Sequence, residues 1–375
     1  MSDNPLLKLE SYGQSIWLDF IHRGMLVSGE LQRLIADDGI SGVTSNPAIF
    51  EKAIVETHDY DDAIHTLALK GKSPAEIYEE LVVEDVRTTA DLFRPVFDHA
   101  GGRDGFVSLE VSPHLAHDTA GTIIEARRLW NRVNRPNILI KVPGTWEGLP
   151  AIRQLIGEGI NINVTLLFGI LRYRAVAEAY IDGLEEVAAQ KRPLNTVVSV
   201  ASFFLSRIDV LIDSMLEKKL AEGSPVTDFA GLLRGEVAIA SAKIAHQMWK
   251  EIFAGQRFLR LAAGGANPQR VLWASTSTKN PAYSDLKYVE ALIGPETVNT
   301  VPLETLNAYR NHGNPARRLE ESVEAARQSL KRLAEVGIDL NAITQQLEDE
   351  GVEKFVKPFD ILMKTLAEKC KSAQG

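Results

Sequence analysis

Eight short apolar segments punctuate this chain, and no two successive ones are joined by a tight hairpin turn. They are Ser15–Asp19, Ile40–Ser45, Gly105–Val111, Asn137–Val142, Ile160–Thr165, Thr196–Ser202, Val271–Ser277 and Thr297–Val301. Helical patterns fill most of the gaps. Ser73-Pro-Ala-Glu76 reads as a capping box that opens one of them. Thr165–Ala189, Phe203–Leu220, Leu232–Phe253 and Asp285–Ile293 are further predicted helices. Alternating strand and helix predicts a parallel sheet with covering helices, and eight such strands predict a closed (β/α)8 barrel of the α/β class. An open doubly wound sheet is the competitor. It often carries a glycine-rich phosphate loop after its first strand, which Leu18-Asp-Phe-Ile-His-Arg23 does not resemble.

After the eighth strand, Pro315–Val336 and Leu340–Glu368 read as helical. No linker-like composition divides them off. The chain of 375 residues is therefore expected to form a single barrel domain, 1–375, with an extra C-terminal helical segment, about 315–375, packed on it. The net charge of -9 argues against a nucleic-acid partner, which needs a basic face. No apolar run approaches the length of a membrane span, and the start of the chain does not read as a signal peptide. Cys370 is the one cysteine, so an internal disulfide is excluded and a reducing cytoplasm is the expected setting. Monomer and homodimer both remain open.

Lys141 is the unusual residue. It lies in the strand-like run Asn137-Ile-Leu-Ile-Lys-Val-Pro143, just before the turn Pro143-Gly144-Thr145. A buried ammonium is costly unless it is paired or loses its proton, and only a neutral amine attacks a carbonyl. A lysine closing an edge strand is the bland alternative. Strand side chains alternate between faces. Ser15, Trp17 and Asp19 thus share one face, as do Thr44 and Asn46, Ser108 and Glu110, Leu139 and Lys141, Asn161, Asn163 and Thr165, and Trp273, Ser275 and Ser277. A barrel interior is mainly apolar, so inward polar groups belong at its mouth, where active sites of this architecture lie.

Each position also has a plain reading. Asn46 before Pro47 suits a helix N-cap, as does Thr165, and Asp19 and Glu110 suit surface or structural ion pairs. Several strands placing polar groups at one end favour a site of one lysine and two carboxylates. Such a set can condense with a ketone, weaken the adjoining carbon–carbon bond through an iminium, and move the protons with the carboxylates. That chemistry requires no metal and no organic cofactor. His114 and His117 have helical spacing but no glutamate beside the first, so no metal site is expected.

The chain resembles the transaldolase family from about Gly13 to Asn307. The resemblance rests on Gly42-Val-Thr-Ser-Asn-Pro-Ala-Ile-Phe50, Val107-Ser-Leu-Glu-Val111, Ile138-Leu-Ile-Lys-Val-Pro-Gly-Thr-Trp-Glu-Gly148 and Ile162-Asn-Val-Thr-Leu-Leu-Phe168. Val200-Ala-Ser-Phe-Phe-Leu-Ser-Arg-Ile-Asp209 and Trp273-Ala-Ser-Thr-Ser-Thr-Lys-Asn280 follow in order. It implies a barrel of the class I aldolase type and transfer of a dihydroxyacetone unit between sugar phosphates in the pentose phosphate pathway. By resemblance, Lys141 is the Schiff-base lysine and Asp19 the acid/base at the substrate hydroxyl. Glu110 is the carboxylate that works through a water, which Thr165 helps to hold. Thr44, Asn46, Asn163 and Ser202 line the sugar site. Phe204 stands where fructose-6-phosphate aldolases, which also lack the matching glutamate, carry tyrosine, so Phe204 and Glu110 favour the transferase. Arg207 matches a phosphate-binding arginine. Ser277 and Lys279 fall where a serine and a second arginine are common. An aldolase releasing free dihydroxyacetone and a non-catalytic sugar-phosphate binder are the alternatives.

Overall fold

Eight parallel strands close on themselves in sequence order: β1 Gln14–Leu18, β2 Gly42–Val43, β3 Phe106–Glu110, β4 Ile138–Pro143, β5 Ile162–Leu167, β6 Ser199–Phe204, β7 Arg270–Ala274 and β8 Thr297–Val301. The computed structural model describes residues 4–221 and 227–374; the ends of the expected 1–375 span lie outside the described residues. Closure is made by β1 and β8, which pair from Gln14 opposite Thr297 to Leu18 opposite Val301. Helices cover the barrel, as the alternation predicts. The capping box forms: Ser73 Oγ accepts from Glu76 N at 3.4 Å and Glu76 Oε2 accepts from Ser73 N at 2.9 Å, opening the helix Pro74–His99. A cap of this kind contributes about 1 kcal/mol.

The two ends of the barrel differ. Arg270 on β7 donates to Ser15 Oγ on β1 at 2.8 Å, and Ser15 Oγ in turn donates to Asp104. β1 and β7 both flank β8, so this contact reaches past one strand at the N-terminal end of the barrel. The C-terminal end stays open as a mouth. Across it runs the helix Leu340–Gln374, which also packs on the helices Pro47–Glu56, Asp61–Leu69, Pro74–His99 and Ser206–Ala221. Among the described residues no helix is long and apolar enough to cross a membrane.

Several predicted boundaries move. The helix after β5 begins at Ile170, not Thr165. Leu166 takes a left-handed φ of 56° and the pairing of β5 with β6 shifts register there, so the strand runs on to Leu167. Thr165 is therefore no helix cap. The helix after β6 begins at Ser206, because Phe203 and Phe204 still pair with Trp273 and Ala274. Gly235, at φ 70°, interrupts the expected helix 232–253, which runs only from Val237 to Phe253, while Leu232 and Leu233 end a separate helix, Thr227–Leu233. The helix expected at 285–293 shortens to Lys287–Ala291, and that expected from Pro315 starts only at Val323.

The inward face of β7 is also the reverse of the expected one. Trp273 pairs its ring with Phe203 and donates to Leu292 O at 3.2 Å, in the layer outside the barrel, while Ala274 faces the mouth. Ser275, at φ 55°, then resets the chain, and Ser275 and Ser277 both line the mouth, so of the three expected residues only Trp273 is misplaced.

Trp17, fully buried, depends on a glycine. A Cβ on Gly42 would stand 2.6 Å from Trp17 Cε2. Gly42→Ala is expected to destabilise the fold by about 1–3 kcal/mol, the cost of overpacking a filled core. Urea unfolding reads this directly, and an unchanged midpoint would show that the indole yields.

Candidate active site

Lys141 sits near the end of β4 and is 4% exposed. Register sets Glu110 on β3 beside it on one side and Asn163 on β5 on the other. Lys141 Nζ lies 3.0 Å from Glu110 Oε2 and donates to Ser45 O at 2.8 Å. The edge-strand reading of this lysine is thereby excluded, since β4 is paired on both sides. The ring centroid of Phe355, from the helix across the mouth, stands 5.9 Å from Nζ.

Asp19 follows the last residue of β1. Its Oδ1 accepts from Thr44 Oγ1 at 2.7 Å, and Thr44 Oγ1 also meets Thr300 Oγ1 at 2.6 Å. Burial raises the Asp19 pKa above the usual aspartate value, while Lys141 and the Thr44 hydroxyl pull it down and Glu304 adds a further push upward. Burial likewise raises Glu110, against the pull of Lys141 and with a smaller push from Asp19. Both acids thus hold their protons more tightly than in water, and both feel the charge of the same amine.

Asn163 and Ser202 form the layer below. Asn163 Nδ2 donates to Ser108 Oγ at 3.0 Å and Asn163 Oδ1 accepts from Ser202 Oγ at 2.7 Å. Thr165 Oγ1 is buried and has no hydrogen-bond partner among the described residues. Asn46 caps the helix Pro47–Glu56, its Oδ1 accepting from Ile49 N at 3.1 Å, and also faces the mouth. Asn46 thus serves as the helix cap and also lines the mouth.

A cavity of about 270 Å³ opens at the mouth. Asp19, Thr44, Asn46, Lys141, Thr165, Ser202, Phe204, Arg207, Ser277 and Lys279 all line it. Glu110 and Asn163 do not; they lie behind Lys141 and below Ser202 respectively. Arg207 is not paired on the surface. Asp209 instead accepts from Ala238 N and Tyr288 OH, both at 2.8 Å, and Glu236 faces Lys287 at 3.3 Å. Arg207 Nη1 is buried with no hydrogen-bond partner among the described residues, and burial lowers the guanidinium pKa, with Glu350 opposing. Lys279 Nζ donates to Ser277 Oγ at 2.7 Å. The cavity thus joins a lysine and an acid at one part of its wall to a desolvated cation at another. His114 and His117 meet separate carboxylates, Asp360 at 2.7 Å and Glu147 at 3.2 Å.

Three contributors escaped the sequence reading. Thr300 has the same inward phase as Val298 and stands near the end of β8, so the period rule applied to β8 would have found it. The Ser45 carbonyl carries no side-chain signal. Phe355 looks like any apolar residue on a helix face.

The family described as Transaldolase/Fructose-6-phosphate aldolase matches residues 16–366 of this chain. The chain belongs to that family. A transaldolase of Trichodesmium erythraeum (strain IMS101) is 48% identical over 375 residues, covering 99% of each chain. A protein named Transaldolase 2 from Nostoc sp. (strain PCC 7120 / SAG 25.82 / UTEX 2576) is 48% identical over 376 residues, again covering 99% of each. A transaldolase of Saccharopolyspora erythraea is 45% identical over 375 residues, covering 100% of each. The match extends past the barrel into the C-terminal helix as far as residue 366 and so includes Phe355.

A raised acid in the fold stabilises the protein only while it is protonated. The contribution of Asp19 is present below the ordinary aspartate pKa and is lost as pH rises through its higher folded value. Asp19→Asn is therefore expected to stabilise the fold at about pH 8, with the gain shrinking as pH falls toward about 4. Denaturant titrations at the two pH values check this; a pH-independent gain, or a loss at the higher pH, would contradict it.

Proposed function

We propose that this protein is a transaldolase. It moves a dihydroxyacetone unit reversibly from a ketose phosphate, sedoheptulose 7-phosphate or fructose 6-phosphate, to an aldose phosphate, glyceraldehyde 3-phosphate or erythrose 4-phosphate. The observation that carries the reading is Lys141, buried, 3.0 Å from Glu110 and opening on the same cavity as Asp19. The Lys141 amine attacks the ketose carbonyl. Glu110, through a water that Thr165 helps to hold, manages the protons as the carbinolamine loses water and the iminium forms. Asp19 takes the proton from the hydroxyl on the departing carbon of the bond that breaks, the oxygen that becomes the aldehyde. The aldose leaves, and the three-carbon enamine stays on Lys141 until a second aldehyde enters and the steps reverse.

Thr44 holds Asp19 by its hydrogen bond, and Asn163 orients Ser202. Thr44, Asn46, Asn163 and Ser202 form the sugar site, with Phe204 as its apolar wall. Arg207, Ser277 and Lys279 take the phosphate, which supplies the desolvated guanidinium with acceptors. No metal or organic cofactor enters this scheme. The same reading treats 1–375 as one domain working in the cytoplasm on small sugar phosphates.

Borohydride added with fructose 6-phosphate is expected to leave a stable adduct on the peptide that carries Lys141. Lys141→Ala is expected to lose activity by many orders of magnitude while folded, as no other group supplies the nucleophile. An adduct on another lysine, read by mass spectrometry, would overturn the assignment. A product that forms from fructose 6-phosphate without any aldehyde acceptor would favour the aldolase reading instead.

Arg207→Ala is expected to raise KM for fructose 6-phosphate about a hundredfold, the loss of two charge-assisted hydrogen bonds. Unphosphorylated fructose should be almost unaffected, and Lys279→Ala should act in the same sense but less. Equal losses for both sugars would point to damage to the barrel rather than to a phosphate contact.

A further inference from the structure

The roof of the cavity comes from far along the chain. Phe355 is 5% exposed, lines the same cavity as Lys141 and Asp19, and brings its ring to 5.9 Å from Lys141 Nζ. It can come so near because Gly351, one turn earlier on the same helix face, has no side chain. A Cβ there would stand 3.0 Å from Leu166 Cδ2 and 3.7 Å from Arg207 Nη1. The helix is fastened on both sides of Phe355. Before it, Arg172 donates to Gln345 Oε1 at 3.0 Å and to Gly144 O at 2.9 Å, and meets Glu348 at 3.3 Å. After it, Asp360 meets His114 at 2.7 Å and Lys369 donates to Asp61 at 2.6 Å. The ring is therefore a fixed apolar roof over the nucleophile, in a site whose other walls are largely polar.

We propose that Phe355 decides the fate of the three-carbon enamine on Lys141, keeping solvent from its nucleophilic carbon so that the unit is transferred rather than released. The proposal rests on the transaldolase reading above. Two fates compete. In transfer, the enamine carbon bonds to the carbon of the incoming aldehyde, and the aldehyde oxygen takes the proton held by Asp19. In release, the same carbon takes a proton from solvent instead. Water then adds to the iminium carbon, and the carbon–nitrogen bond breaks with its electron pair returning to Lys141. Free dihydroxyacetone leaves. The water held by Glu110 and Thr165 serves hydrolysis in either case, so the two fates divide at the protonation of carbon. An apolar ring with no proton to give, closing off bulk water, slows that step alone.

Phe355 acts here as a shielding and positioning residue, and the readout is a ratio that a merely structural role would not move. With fructose 6-phosphate as donor and erythrose 4-phosphate as acceptor, dihydroxyacetone released is measured against sedoheptulose 7-phosphate formed. Phe355→Ala is expected to raise this ratio on the order of tenfold, while Phe355→Leu, which keeps an apolar roof, stays within about twofold of the unsubstituted enzyme. Borohydride trapping on Lys141 should persist in both. An unchanged ratio in a folded, trappable Phe355→Ala enzyme overturns the proposal, as does an equal fall of both reactions. If the alanine variant does not fold, Phe355→Val replaces it, and its ratio must exceed that of Phe355→Leu; equality overturns the proposal. An unsubstituted enzyme that transfers nothing overturns the transaldolase reading and this inference with it, whereas transfer with an unresponsive ratio overturns this inference alone.

Discussion

A buried amine beside a buried carboxylate is the interaction on which the rest of this structure turns. Lys141 and Glu110 stand 3.0 Å apart on neighbouring strands, with the Ser45 carbonyl completing the amine's contacts. Taking both charges from water is costly, and removing either partner alone would leave the other uncompensated. The arrangement needs a frame that holds three strands in fixed register, and the closed barrel supplies it. Register alone sets Glu110, Lys141 and Asn163 side by side. The cost appears in the acids: burial raises both Asp19 and Glu110, so the site is held against its own preference by the packing around it.

The mouth is built from two unlike materials. Strand ends supply polar groups in a ring, and the C-terminal helix supplies an apolar roof. The chain is acidic overall, yet the cavity presents Arg207 with a buried and unpaired nitrogen and Lys279 nearby. A desolvated guanidinium seeks an anion with several acceptors, which a phosphate provides in bidentate form. Gly351 connects the two materials, because its missing side chain lets the helix settle against Leu166 and beside Arg207 at once. Roof and cation are thus positioned by one close approach.

Much of this was legible in the sequence. Alternation of strand and helix yields the barrel, and the period of two brings Asp19, Glu110 and Lys141 to one end. What failed did so where local backbone departs from ideal geometry. Leu166 and Ser275 adopt left-handed φ, which extends β5 beyond Thr165 and changes the facing of the residues after β7. An unbroken period therefore assigned Trp273 to the interior, where the structure has Ala274.

The sequence by itself determined which segments are strands, which are helices, and where polar residues interrupt an apolar face. Those properties depend on side chains a few positions apart, and so can be read along the chain. Only the tertiary structure decided that Lys141 finds a main-chain carbonyl of Ser45 and that Phe355 roofs the amine. These contacts join residues distant in the chain through atoms or apolar surfaces that carry no distinctive pattern. They exist because closing the barrel and laying the last helix across its mouth bring them together.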